Sequence, residues 1–154
     1  MKIRYFNYQD DLDPMHGAVI TASEQLAALL GDAKRKPPFT AKLKGDNGFE
    51  ILAGIGEEFC CAQYSCSDGN PPYLMAMSAH PLLKRGLPEF LTGGTLSPTP
   101  ARYVICFDEL KAILIHFLET GERSNAFSWE DFDPEAVREA ADGHLQWPMP
   151  GKSH

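Results

Sequence analysis

The sequence predicts a single α+β domain, an antiparallel sheet of hairpins and a meander packed against two main helices. Three observations carry that expectation. Phe107, Leu110, Ile113, Leu114, Phe117 and Leu118 recur at helical spacing and stop just before Gly121. Three short runs between Phe49 and Met77 alternate apolar and polar residues and are separated by Gly- and Pro-rich turns. A chain of 154 residues is about one domain by length, and 44% hydrophobic with 23% charged residues is an ordinary globular composition.

In chain order, Lys2 to Tyr8 alternates Ile3, Tyr5 and Asn7 with Arg4, Phe6 and Tyr8, which suits an opening strand. Thr21-Ala-Ser-Glu24 has the spacing of a capping box, and Leu26, Leu29 and Leu30 follow before Gly31, so a short helix ending at a glycine cap is expected. Lys34-Arg35-Lys36-Pro37-Pro38 breaks regular structure and forms a basic corner. Phe49 to Ile55 and Phe59 to Tyr64 flank Gly56-Glu57-Glu58 as a β-hairpin. After the turn signal Ser67-Asp68-Gly69-Asn70-Pro71, Pro72 to Met77 supplies a third strand with Tyr73, Met75 and Met77 on one face. Residues 78–100 read as loops with one short strand near Phe90 and Leu91.

The helix over Phe107 to Thr120 is the expected core helix, followed by a short strand at Ala126 to Trp129. Asp133-Pro134-Glu135 opens a short helix ending near Gly143, and Trp147-Pro148-Met149-Pro150-Gly151 is irregular. These elements divide into a body over 1–130 and an acidic C-terminal extension over 131–154, packed on or trailing from the same domain.

Charge narrows the partners. Of the net −7, residues to Arg102 contribute 10 basic and 11 acidic side chains, whereas the rest holds 4 basic and 10 acidic ones. Such a balance argues against a nucleic-acid or membrane partner and suits attraction to a basic protein surface. No run approaches the ~20 apolar residues of a membrane span. Asp10, Asp11 and Asp13 interrupt the N-terminal stretch before a signal-like apolar run can form, so a cytoplasmic protein with reduced thiols at Cys60, Cys61, Cys66 and Cys106 is expected.

Motifs for chemistry are sparse. Gly54-Ile-Gly56 lacks the third glycine of a dinucleotide fingerprint, and neither His-Glu-x-x-His nor Cys-x-x-Cys occurs. No metal or cofactor is expected, since His16, His80, His116 or His144 would have to converge through folding alone. Cys66, at a strand end beside a polar turn, is the best candidate nucleophile, and with a histidine it defines the alternative reading of a small enzyme or ligand-binding domain. The acidic surface defines the other reading, with Glu119, Glu122, Trp129, Glu130, Asp131, Asp133 and Glu135 as binding residues and the turns with Glu57, Glu58 and Asp68 as the alternative face.

Ile105-Cys-Phe-Asp-Glu109 leading into Leu110 to Leu118, then Glu119-Thr-Gly-Glu-Arg123 and Phe127-Ser-Trp129, resembles the closing motif of the immunity protein 1 family of bacterial polymorphic toxin systems. Thr21 to Leu30, Phe49 to Gly56, Tyr64 and Pro72-Tyr73 resemble that family's first helix and central strands, so the resemblance spans roughly residues 1 to 130. Cys106 stands where a proline commonly precedes the helix. The resemblance implies a cytoplasmic protein without an active site that binds and neutralises a cognate toxin, often a nucleic-acid deaminase. A deaminase needs a basic groove, for which an acidic surface can compete. The chain lacks the His-x-Glu and Pro-Cys-x-x-Cys elements that would make it a zinc deaminase itself.

Overall fold

The computed structural model describes residues 1–83 and 86–138. Their strands are β1 (Ile3–Asn7), β2 (Val19–Ile20), β3 (Phe39–Gly45), β4 (Phe49–Ile55), β5 (Cys61–Cys66), β6 (Leu74–Met77), β7 (Glu89–Thr92), β8 (Thr95–Pro98) and β9 (Ser128–Asp131). The two main helices are α1 (Ser23–Ala33) and α2 (Phe107–Thr120). The fold is α+β, one nine-stranded sheet in the order β2-β1-β3-β4-β5-β6-β9, with the β7–β8 hairpin attached to β3. All pairings are antiparallel except the parallel contact of β7 with β3 at Leu91 and Phe39.

Both helices pack on one face of the sheet. Leu26, Leu29, Leu30 and Ala33 of α1 and Leu110, Ile113, Leu114, Phe117 and Leu118 of α2 meet the inward residues of β1, β3, β4 and β5. Each fully buried Leu, Ile or Phe there stabilises the fold by roughly 1.5–3 kcal/mol of transfer free energy. On the opposite face, Phe90 crosses Gly54, where an added Cβ would stand 2.9 Å from the ring, so glycine permits the close approach. Tyr103, Met75 and Ala136 form a second, smaller cluster on that face, with Cys61, Met77 and Phe132 at its margin.

α2 spans the expected residues. Its N-cap is Cys106, whose Sγ accepts from Glu109 N at 3.4 Å while Glu109 Oε1 accepts from Cys106 N at 3.0 Å. A proline there has no N–H to give Glu109. At the other end Gly121 takes the left-handed conformation, φ 77°, and its N–H donates to Phe117 O at 2.7 Å.

Several elements differ from expectation. The α1 cap is Ala22 rather than Thr21, and Gln25 rather than Glu24 reaches back, its Oε1 accepting from Thr21 N at 2.8 Å and Ala22 N at 3.1 Å. The helix runs through Gly31 because one more turn buries Ala33 beneath the Leu26–Leu30 stripe. β3, which the sequence reading passes over, is a central strand whose Phe39, Ala41 and Leu43 point into the core. Residues 78–100 contain two strands, because Gly93 and Gly94, both at positive φ, turn β7 into β8.

The strand expected at Ala126 to Trp129 is β9, shifted to pair with β6 through Trp129 opposite Ala76. Residue 130, the expected end of the body, lies inside that strand. Residues 134–138 are helical, and Ala136 is buried against Tyr103 and Met75. The expected helix end near Gly143, the irregular segment at Trp147 and the rest of the extension lie outside the described residues.

Candidate binding cleft at the end of helix α2

The segment after α2 turns back along the sheet and encloses a cleft of about 540 Å³. Gly121 sets its course. The Gly121 carbonyl accepts from Tyr64 Oη at 3.2 Å and Asn47 Nδ2 at 2.9 Å, so the helix end is tied to β5 and to the β3–β4 turn. Trp129 Nε1 donates to Ser124 O at 2.8 Å, which fixes the indole across the returning loop.

These ties gather an aromatic wall. Phe49 stacks on Tyr64 at 5.1 Å between centroids, and Tyr64 meets Trp129 edge-on at 6.4 Å. Phe127, Pro72 and Leu74 complete the apolar lining. The exposed Arg123 guanidinium lies 5.7 Å from the Tyr64 ring and 5.9 Å from that of Trp129. Burial raises the Tyr64 hydroxyl pKa; Arg123 opposes the shift, and Glu122 and Cys66 add to it.

Of the acidic residues singled out by sequence, Glu122 lines this cleft and Glu119 is exposed on the last turn of α2. Successive residues of β9 point to opposite sheet faces. Trp129 and Asp131, opposite Ala76 and Leu74, therefore lie on the cleft side, whereas Glu130 lies on the other face beside Arg102. Arg102 stands 3.2 Å from Glu130 and 3.1 Å from Asp133, and Glu135 pairs with Arg138. The seven residues thus divide into Glu122 and Trp129 in the cleft lining, Asp131 on the same sheet face, Glu119 exposed on the helix that precedes the cleft, and three carboxylates already matched by arginines.

The alternative face also divides. Glu57 and Glu58 are exposed before β5 and share a depression with Lys34, Arg35 and Lys36. Asp68 follows β5 at its opposite end, roughly 20 Å away for a strand of this length. Its carboxylate accepts from Asn70 N within the turn.

Cys66, the candidate nucleophile, lines the cleft, but none of His16, His80 and His116 does, and His144 lies outside the described residues. His16 instead accepts from Asn7 N at 2.9 Å through Nδ1, beside Phe6. All four cysteines are free, and burial pushes the Cys60 thiol up to about 12. Among the described residues no three His, Cys, Asp or Glu side chains converge as a metal site, and no helix is long and apolar enough to cross a membrane. Sequence reasoning missed Tyr64 and Arg123 as a unit. The signal available was a tyrosine one strand from a Gly-Glu-Arg loop, without the register that joins them. No family model and no curated protein matches the chain.

Proposed function

We propose that this chain is a cytoplasmic immunity protein that acts by binding, seating a cognate toxin on the cleft at the end of α2. The observation that carries the reading is the half-buried Trp129, held by Ser124 in an aromatic wall, with exposed Glu122 in the same lining and exposed Asp131 two residues further along the same face of β9. A fixed aromatic anchor ringed by charge is the arrangement that concentrates binding energy at protein interfaces. Unmatched carboxylates around it speed encounter with a basic groove such as a nucleic-acid deaminase must have. The motif resemblance supplies the toxin class, and it is the same Gly121-to-Trp129 motif that builds the cleft.

The test is association of the purified chain with the toxin domain encoded beside its gene, followed at low and high salt. Reversing Glu119, Glu122 and Asp131 to lysine is expected to slow association about tenfold or more at low salt, with a smaller effect at high salt. Reversing Glu130 and Asp133, which Arg102 already matches, changes it less. Equal effects of the two sets, or none from either, would remove the cleft from the interface.

A further inference from the structure

The sheet face opposite the helices is only partly covered by described residues. Phe90 and Tyr103 lie over β4 to β6, whereas over β2, β1 and β3 the side chains of Arg4, Tyr8, Val19 and Lys44 are exposed. Register places Arg4 directly opposite Lys44, and Phe6 opposite Lys42. Like charges so placed repel. On its other side Lys44 faces Glu50, whose carboxylate lies toward Lys42 instead, so among the described residues neither Arg4 nor Lys44 has a carboxylate within ion-pair distance. Arg4 Nη1 donates only to Gly17 O, at 2.8 Å, and Lys42 lies 3.7 Å from Glu50 and 5.4 Å from the Tyr8 ring centroid. Phe6 and Val19 line a groove of about 350 Å³ whose charged lining is Lys2, Arg4, Lys44 and Asp46.

We propose that this face binds single-stranded nucleic acid, with phosphates on Lys2, Arg4 and Lys44 and bases against Phe6 and Tyr8. Along this face Lys2 and Arg4 are followed by Phe6 and Tyr8, with Lys44 and Lys42 across from Arg4 and Phe6, so cations and rings lie side by side as phosphates and bases do in a single strand. A peptide adding as a strand is disfavoured because the free side of β1 is occupied. Tyr5 N donates to Ala18 O at 2.9 Å and Asn7 N to His16 Nδ1 at 2.9 Å. The net −7, which by itself argues against nucleic acid, falls almost wholly after Arg102, and charges more than about 8–10 Å from this face are screened at physiological salt. The face lies on the far half of the sheet from β9 and the cleft, so the proposal is independent of toxin binding.

The experiment is fluorescence anisotropy of labelled single-stranded RNA and DNA, roughly 12 nucleotides long, titrated with the full chain, beside a poly-glutamate peptide of similar charge. Engaging three phosphates predicts affinity falling roughly 20-fold between about 50 and 200 mM salt. Arg4→Glu with Lys44→Glu is expected to abolish binding, and Tyr8→Ala to weaken it about fivefold or more through lost stacking. Circular dichroism checks that these surface variants are folded. No binding at low salt, retention by the charge-reversed protein, or equal binding of poly-glutamate with Tyr8→Ala unaffected would each overturn the proposal.

Discussion

Replacing Gly121 with alanine adds a Cβ to a residue held at φ +77°, and the position that Cβ would take lies 2.5 Å from Asn47 Nδ2. The left-handed conformation costs a non-glycine residue about 1–2 kcal/mol. Asn47 is the tip of a side chain and can swing away, so the clash itself is cheap. Swinging away gives up the hydrogen bond to Gly121 O, worth about 0.5–1.5 kcal/mol. The stiffer unfolded chain returns about 0.4–1 kcal/mol, leaving a net destabilisation of about 2 kcal/mol. Urea unfolding of the single variants Gly121→Ala and Asn47→Ala and of the double variant separates the contributions. With Asn47 already truncated, Gly121→Ala is expected to cost about 1 kcal/mol less, because only backbone strain remains. A cost under about 0.5 kcal/mol for Gly121→Ala alone would refute the left-handed cap. An unchanged cost in the Asn47→Ala background would refute the link between the helix end and the β3–β4 turn.

Two further outcomes follow from burial. Phe117 is fully buried and meets Tyr64 edge-on at 5.9 Å, so Phe117→Ala should cost about 3–5 kcal/mol in a denaturant titration, and a loss below about 1 kcal/mol would count against α2 as the core helix. Burial disfavours ionisation of Asp13, yet hydrogen bonds from Asn7, Lys36 and Met15 N outweigh it and hold its carboxyl below the ordinary 3.8. That stability is complete above the unfolded value and is lost as pH falls through the folded one. The stability gap between wild type and Asp13→Asn should therefore be widest above about pH 4 and close below it. A pH-independent gap from unfolding curves at a series of pH values would contradict this.

How far the fold could be read depended on whether local pattern and tertiary packing agreed. α2 was legible because its apolar stripe and Gly121 agree on where it runs and stops, whereas its Cys106–Glu109 cap came only with the structure. Gly31 misled because glycine can end a helix or sit within one, and the buried Ala33 that decides between them acts through tertiary contact. β3 was missed although Phe39, Ala41 and Leu43 alternate cleanly, because it follows a basic corner without a break and carries two lysines. The cleft was half visible. Cys66, Glu122 and Trp129 were singled out, but their meeting depends on sheet register, which no local pattern encodes.

The acidic third also shows why counting charge along a chain misjudges a surface. Glu130 and Asp131 are neighbours in sequence, but the pleat of β9 sends them to opposite faces, and Arg102 from the turn before α2 meets only the first. What remains unmatched around Trp129 is a smaller charge than the sequence suggests, placed where it can steer a partner toward a fixed indole. Because Tyr64 and Trp129 both close the fold and line the cleft, a truncation there changes stability and binding together. A test of binding that leaves folding alone must therefore use Glu119, Glu122 and Asp131, whose removal leaves no cavity. Trp129→Phe, which keeps the ring but loses the bond to Ser124, then reports whether the indole's orientation matters beyond its bulk.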